Sequence, residues 1–214
     1  MARPTSIKDE DLIAAARALF LEKGIGATTA EVAERAGVSE GTLFKRFRSK
    51  AELFQAAMHP QFAELGWLAD LEARTGRGDL QEQLTELGAA GVAFFRQLMP
   101  LIMMSYANPA PNGLPEPLNQ PDPPPLRALR RLTGYFEAEI RLGRLRPVDP
   151  EILARMFLGS LQQYVFFDLL FQAQQTLPLP LPTFLRGLVA MLWRGAGPPV
   201  PQDSSTSLPV GSSV

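Results

Sequence analysis

The chain has 214 residues, of which 46% are hydrophobic and 20% are charged, and its formal net charge is −1. It contains no cysteine, which excludes disulfides and thiolate metal sites such as zinc fingers. Uninterrupted apolar runs stay short of the roughly 18 residues that a membrane span needs, and the charged N-terminus lacks the apolar stretch of a signal peptide. We therefore expect a cytoplasmic protein that makes no membrane contact.

The first predicted helix is amphipathic. It is expected to be capped at Ser6 and to end at Gly24, where a left-handed backbone is easily adopted. Its apolar stripe at helical spacing is made of Leu12, Ala15, Ala16, Leu19 and Phe20.

Two short helices follow, with a glycine-containing turn between them. A capping box that begins at Thr28 starts the second helix, and Gly37 ends it. Ser39 caps the third helix, in which Leu43 and Phe47, four residues apart, form the buried pair. Two short helices joined in this way are a helix-turn-helix, whose second member fits the major groove of DNA.

The charge of this region differs from that of the whole chain. Between Arg35 and Lys50 there are five basic residues and one acidic residue, a net charge of +4 (five minus one). Such a cluster without a motif would indicate only a solvated basic face. Beside a helix-turn-helix it indicates local attraction to phosphates.

A fourth helix opens at Ser49, with Leu53, Phe54, Ala57 and Met58 facing inward. Pro60 lies inside this pattern and predicts a kink, which is either a hinge or a tolerated irregularity. A further helix is expected along Leu80 to Leu98, and Pro100 is expected to start a short one that runs through Tyr106.

The last part of the chain alternates between proline-rich segments and apolar helices. Residues 108–125 contain eight prolines and predict a long non-helical loop. A helix from Leu126 to Gly143 follows, then a long one from Ile152 to about Gln174 that Asp149 and Pro150 open. A final helix near 183–194 precedes a tail, 197–214, that is predicted to be disordered.

The helix-turn-helix region resembles the TetR family of bacterial regulators. The matching runs are Thr28-Thr29, Val32 to Phe44 and Phe47 to Leu53, within a resemblance over residues 7–54. The resemblance implies an all-α fold of about nine helices: a three-helix DNA-binding domain over 1–54, and a helical bundle over 55–196 that senses a ligand and dimerises through its last two helices.

The same resemblance assigns DNA contacts residue by residue. It places Thr29, Thr42 and Lys50 at positions that commonly touch phosphates, and it places four residues at base-facing positions: Glu40, Gly41, Lys45 and Arg46. Phe44, the eighth candidate DNA contact, stands where a tyrosine is usual, and Arg46 replaces the commoner histidine and adds a bidentate donor suited to guanine.

Bulky, adaptable side chains are concentrated in the body of the protein. They predict either ordinary core packing or a permissive pocket for a small hydrophobic or aromatic effector. The candidate pocket residues are Phe95, Met99, Met103, Tyr106, Phe136, Phe157, Tyr164 and Phe167.

The last two helices are apolar on more than one face, which predicts a homodimer. The candidate interface residues are Phe157, Leu161, Tyr164, Val165, Leu188, Met191 and Leu192. Two-fold pairing requires a palindromic operator in double-stranded DNA.

No cofactor, metal site or enzymatic activity is expected. His59 is the only histidine and has no neighbouring ligands, and no nucleophile–base pair is evident. A ligand-released repressor is favoured. The alternatives are an activator or a regulator that has lost sensing, a small-molecule or lipid carrier of the same fold, and an enzyme.

Overall fold

The computed structural model describes residues 7–59, 66–109, 118 and 121–196. All regular structure in these residues is helical, which confirms the predicted all-α class. The ten helices are α1 (Asp9–Lys23), α2 (Thr29–Arg35), α3 (Glu40–Phe44), α4 (Lys50–Met58), α5 (Leu71–Arg74), α6 (Leu80–Ala107), α7 (Pro124–Arg141), α8 (Pro150–Phe171), α9 (Ala173–Thr176) and α10 (Leu181–Ala196). Pro60, most of the proline-rich loop and the tail 197–214 lie outside the described residues.

Side-chain caps and glycine turns fix where the short N-terminal helices begin and end. The Thr28 hydroxyl accepts from the Glu31 backbone N–H at 3.2 Å, and the Glu31 carboxylate accepts from the Thr28 backbone N–H at 2.7 Å. Gly24 and Gly37 take φ values of +69° and +70°, a conformation that glycine adopts without a Cβ clash. α1 begins at Asp9 after Lys8, and the predicted cap Ser6 lies outside the described residues.

The first four helices, residues 7–58, share one core and are called the DNA-reading unit below. The Phe20 and Phe54 rings meet edge to face with centroids 5.1 Å apart, between α1 and α4. Leu43 and Phe47 are buried in the same core, as predicted. Leu101 of α6 also belongs to it, so α6 connects this unit to the remaining helices, residues 66–196, which are called the body.

α6 corrects the expectation that Pro100 starts a new helix. The helix runs unbroken from Leu80 to Ala107 with Pro100 inside it. An interior proline removes one backbone hydrogen bond. The helix continues because Leu98 is buried in the core of the body and Leu101 in that of the DNA-reading unit.

α6 is also long and apolar enough to pass a length-and-composition test for a membrane span, and no other helix in the described ranges does so. Ten of its residues, from Leu80 to Ser105, are buried inside the protomer. Packing within the protein therefore accounts for its apolar character.

α7 begins earlier than predicted. The sequence pattern excluded Pro123 to Pro125 from helix, whereas Pro124 and Pro125 form the first turn of α7. Proline is tolerated there because the first backbone N–H groups of a helix have no partner inside the helix. Leu126, the first residue of the predicted helix, is half exposed, and the buried face of α7 includes Leu132, Phe136 and Glu139.

α8 lies at the centre of the body and contacts α6, α7 and α10. As predicted, the Asp149 carboxylate caps it, accepting from the Glu151 and Ile152 backbone N–H groups at 2.9 and 3.1 Å. It ends at Phe171, three residues before the predicted end, because Gln172 takes a φ of +50°. α10 begins at Leu181 rather than near residue 183.

A buried carboxylate joins two turns of the body. Glu139 is fully buried, and its Oε1 accepts from the Gly76 backbone N–H at 2.9 Å. The Arg144 Nε lies 3.0 Å from its Oε2, and Arg144 also donates to the carbonyls of Arg77 and Gly78 at 2.9 and 3.0 Å. The turn between α5 and α6 is thereby held against the end of α7.

Candidate DNA-binding surface and effector cleft

The α3 segment lies on the surface with one side pinned to the core. The Ser39 hydroxyl accepts from the Thr42 backbone N–H at 3.2 Å and so caps the helix. Leu43 and Phe47 point inward, while Phe44 is 43% exposed. α3 has only five residues, and Lys45 and Arg46 follow its end in a further helical turn, in which the Phe47 N–H donates to the Leu43 carbonyl at 3.0 Å.

The four predicted base-facing residues, Glu40, Gly41, Lys45 and Arg46, are all exposed on this surface, together with Phe44. The predicted phosphate-contacting residues Thr29, Thr42 and Lys50 are half buried around it. All eight candidate DNA contacts are therefore at least partly accessible to solvent.

Two of the hydroxyls already have partners within the protein. Thr29, the first residue of α2, donates to Glu40 Oε1 at 2.5 Å. The Thr42 and Ser39 hydroxyl oxygens lie 2.9 Å apart. These bonds orient the start of α3 relative to α2, and a phosphate would have to share or replace them.

Ion pairs divide the local cations into two groups. Arg46 Nη1 lies 2.6 Å from Asp9 Oδ1, and Arg35 Nη2 lies 2.6 Å from Glu22 Oε2. Within the described ranges, Lys45, Arg48 and Lys50 have no carboxylate within ion-pair distance, and these three charges are available to phosphates.

Asp9 and Glu22 are functional candidates that sequence reasoning did not identify. They lie 37 and 13 residues from their arginines, so no local pattern signals the contact. A third pair, Lys23 and Glu31 at 2.8 Å, helps to fix the start of α2. The hydrogen bond from Lys23, followed by those from Thr28, lowers the pKa of Glu31 to about 2.

The body contains a narrow apolar cleft between α6, the start of α7 and α8. Its volume is about 60 Å³. The lining residues are Trp67, Phe94, Phe95, Leu98, Met99, Ile102, Pro125, Ala128, Leu158 and Gln162. Among the described residues, the buried indole N–H of Trp67 has no hydrogen-bond acceptor.

Only two residues of the predicted pocket set, Phe95 and Met99, line this cleft. Phe136 and Phe157 are instead fully buried in the core, and Tyr164 stacks on Phe184 with ring centroids 4.4 Å apart. Three others lie outside the lining: Met103, half buried, and Tyr106 and Phe167, both exposed. Trp67 was missed because a single tryptophan in a short segment has no periodic signal.

The predicted dimer set also requires correction. Phe157, Leu161 and Val165 are at most 1% exposed, so they face the interior of the protomer and cannot reach a partner in this conformation. Tyr164 and Leu192 are buried too, Leu188 is half buried, and Met191 is 68% exposed.

A different face of α8 is apolar and exposed. Its residues are Ile152, Met156, Phe167, Leu170 and Phe171. The wrong interface prediction has a simple cause: α8 is apolar on two faces, and sequence alone does not tell which face packs inward.

Among the described residues no group of three potential metal ligands lies close together, and His59 follows the last residue of α4.

Comparison with known proteins gives matches at both ends of the chain. Residues 12–57 match the profile of bacterial regulatory proteins of the tetR family, and residues 122–181 match the C-terminal domain of AefR-like transcriptional repressors. The uncharacterized HTH-type transcriptional regulator YvkB of Bacillus subtilis is 25% identical over 194 residues, which cover 90% of this chain and 97% of that protein.

Solved structures share the fold. A protein from Mesorhizobium loti assigned to the TetR-family regulators superposes with a TM-score of 0.65 and 20% identity, over 92% of this chain and all of that one. SmeT, the repressor of the multidrug efflux pump SmeDEF of Stenotrophomonas maltophilia, gives a TM-score of 0.57 at 21% identity and 93% coverage of both chains. At these identities the structures support the fold alone.

Proposed function

The chain belongs to the TetR family of bacterial DNA-binding transcriptional regulators, and we propose that it is a cytoplasmic repressor that binds a palindromic operator as a homodimer. The observation that carries the proposal is the exposed α3 surface, with Phe44, Lys45 and Arg46 outward and Leu43 and Phe47 fixed inside. A rigid short helix displayed in this way fits the major groove.

The exposed residues suggest separate roles on DNA. Lys45 and Arg46 can donate to guanine O6 and N7, and the ring of Phe44 can contact a thymine methyl group. Gly41 lets the backbone approach DNA closely, and Lys50, with Thr29 and Thr42, would hold phosphates.

Binding to duplexes selected from a random pool tests this role. We expect a site-specific complex that weakens as salt rises. Lys45→Ala should relax base preference at a cost of about 1–3 kcal/mol, and Lys50→Ala should weaken all sequences evenly and lower the salt slope by about one. Arg155→Ala, on the exposed side of α8, is the matched control. A carrier or an enzyme of this fold would show no site-specific complex.

The homodimer would form through α8 and α10. Supporting it are the exposed apolar side chains Met156, Phe167 and Phe171 of α8 and Met191 of α10. Exposed apolar side chains in this number mark an interaction site when they lie side by side. Phe167→Glu should convert the dimer to a monomer in sedimentation, whereas Glu151→Gln should not; a monomeric parent protein would refute the dimer.

The cleft beside Trp67 is the proposed effector site. Its volume of about 60 Å³ accommodates only a few water molecules, so an effector would have to widen it. The apolar walls favour a small apolar or aromatic molecule, and the Trp67 N–H, which has no acceptor among the described residues, favours one hydrogen-bond acceptor on it.

Two probe molecules of similar shape test this chemistry. Acetophenone accepts a hydrogen bond, whereas isopropylbenzene does not. We expect acetophenone to raise the melting temperature more and to quench Trp67 emission, and Trp67→Phe to abolish the difference while Trp193→Phe preserves it. Stabilisation only by anionic sugars or metal ions would contradict the apolar site.

α6 supplies a route from this site to DNA. Met99 and Ile102 line the cleft, while Leu101 and Met104 of the same helical turns pack in the core of the DNA-reading unit. An effector that displaces this part of α6 would shift the unit and change the separation of two recognition segments. Such coupling is typically about 1–3 kcal/mol. The alternative hinge at Pro60 can be tested by Pro60→Ala.

A further inference from the structure

An ion pair joins the start of α1 to the segment that follows α3. Arg46 Nη1 donates to Asp9 Oδ1 at 2.6 Å across 37 residues of sequence. The Arg46 backbone is fixed, since its N–H donates to the Leu43 carbonyl at 3.0 Å. The side chains of Arg46 and Asp9 are 45% and 53% exposed, so the pair lies at the surface that would face DNA.

The contact leaves most of the guanidinium available. Arginine presents five N–H donors in a planar fork, and only Nη1 is engaged by a residue of the described structure. The Nε and Nη2 donors form one edge of the fork. Two parallel donors of this kind match the O6 and N7 acceptors of guanine.

We propose that Asp9 is a positioning residue, which holds the guanidinium of Arg46 so that its Nε–Nη2 edge is presented to a guanine. The proposal rests on the DNA-binding function proposed above. A free arginine side chain samples many rotamers, and an ion pair at its far end reduces their number before DNA binds. Loss of this ion pair should therefore lower base discrimination and leave the stability of the fold almost unchanged, because an exposed ion pair adds little to that stability.

Neighbouring carboxylates provide the controls. Asp9, Glu10 and Asp11 all lie in the first turn of α1, where negative charge stabilises the helix N-terminus. Asp11 accepts from the Lys8 backbone N–H at 3.3 Å, whereas Glu10 is exposed and has no hydrogen-bond partner in the described structure. Glu10→Gln therefore removes the same charge from the same turn without disturbing Arg46.

The test measures base preference at every position of a selected duplex by competition binding. Arg46→Ala identifies the base pair that Arg46 reads, with a loss of discrimination of about tenfold. Asp9→Asn should lower discrimination at that same base pair by about two- to fivefold. Both Asp9→Asn and Glu10→Gln remove one negative charge that repels phosphates, so both should raise binding to random DNA. Glu10→Gln should leave base preference unchanged.

Arg46→Lys gives a second readout that does not depend on Asp9. Lysine keeps the positive charge but lacks the planar pair of N–H donors of the guanidinium. The base preference of Arg46→Lys should therefore fall at the same base pair. The positioning role is refuted if Asp9→Asn retains the full preference of the parent, or if Arg46→Ala weakens all sequences evenly. A parent protein that prefers no duplex at all would instead refute the proposed DNA-reading function.

Discussion

The DNA-reading unit and the body are both helical, but different forces fix them. In the DNA-reading unit, α2, α3 and α4 have seven, five and nine residues, and a side-chain oxygen caps each start. In the body, α6, α7 and α8 have 28, 18 and 22 residues. Asp79 and Asp149 cap α6 and α8, but a shared apolar core holds most of the length of all three helices. Short-range chemistry therefore shapes the part that would meet DNA, and long-range packing shapes the part that would respond to an effector.

The difference also concerns what each part leaves exposed. The DNA-reading unit displays a mostly polar surface whose pairs, such as Thr29 with Glu40, can be exchanged for contacts with DNA. The body displays apolar side chains, such as Phe171 at 63% exposure. The first surface suits a charged partner in water, and the second suits a permanent protein partner.

The largest expected effect separates the inner and outer faces of α8. Phe157→Ala removes a fully buried ring and should lower the free energy of unfolding by about 3–5 kcal/mol at every protein concentration. Phe171→Ala should cost stability only at concentrations at which the parent is dimeric, and the loss should vanish on dilution to monomers, because its ring would lie in the dimer seam. Urea unfolding at several concentrations measures both. Equal losses from the two variants would refute this division.

The buried carboxylate of the body should give the next largest effect. Glu139→Ala leaves Arg144 and the Gly76 N–H without their acceptor. We expect the free energy of unfolding to fall by about 2–4 kcal/mol. This is somewhat less than the loss from breaking a wholly buried ion pair, because Arg144 remains 23% exposed. Glu137→Ala, on the exposed side of α7, is the control. Equal unfolding midpoints for the two variants would show that Glu139 is not a structural tie.

The caps of the DNA-reading unit should each matter less. Thr28→Ala removes the hydroxyl that accepts from the Glu31 N–H and should cost about 1 kcal/mol. Thr183→Ala, in the exposed first turn of α10, should change stability by less. Hydrogen exchange should place the Thr28→Ala loss in α2, and a uniform loss across the body would contradict a local cap.

The smallest expected effect is a pH dependence of the same cap. The hydrogen bond from Lys23 holds the pKa of Glu31 at about 2, below its ordinary value of 4.5. The charged carboxylate therefore stabilises the fold above pH 4.5, and this contribution fades as the pH falls toward 2. The stability gap between the parent and Glu31→Gln should narrow over that window, whereas Glu34→Gln should show no such gap. A gap that stays constant would contradict the assigned contacts.

The same contrast explains what sequence could predict. The caps at Thr28, Ser39 and Ser49 and the buried pair Leu43 and Phe47 follow from residues a few positions apart, and the structure confirms them. The eight candidate DNA contacts came from a motif within the same short span, and all eight are at least partly accessible in the structure.

Long-range features could not be predicted in this way. The pairing of Asp9 with Arg46 depends on a tertiary contact across 37 residues. The inward face of α8 depends on which of two apolar faces finds a partner in the core. Continuation of α6 through Pro100 depends on two cores holding the helix on both sides.

The central claim is that the α3 surface of each protomer enters a major groove. Methylation protection of a selected duplex tests it most directly, because it separates guanine N7 in the major groove from adenine N3 in the minor groove. We predict two symmetric clusters of protected guanine N7 atoms centred about one helical turn, or somewhat more, apart, with one guanine in each cluster exposed again in Arg46→Ala. Protection confined to adenine N3, or a single unsymmetric cluster, would contradict the account.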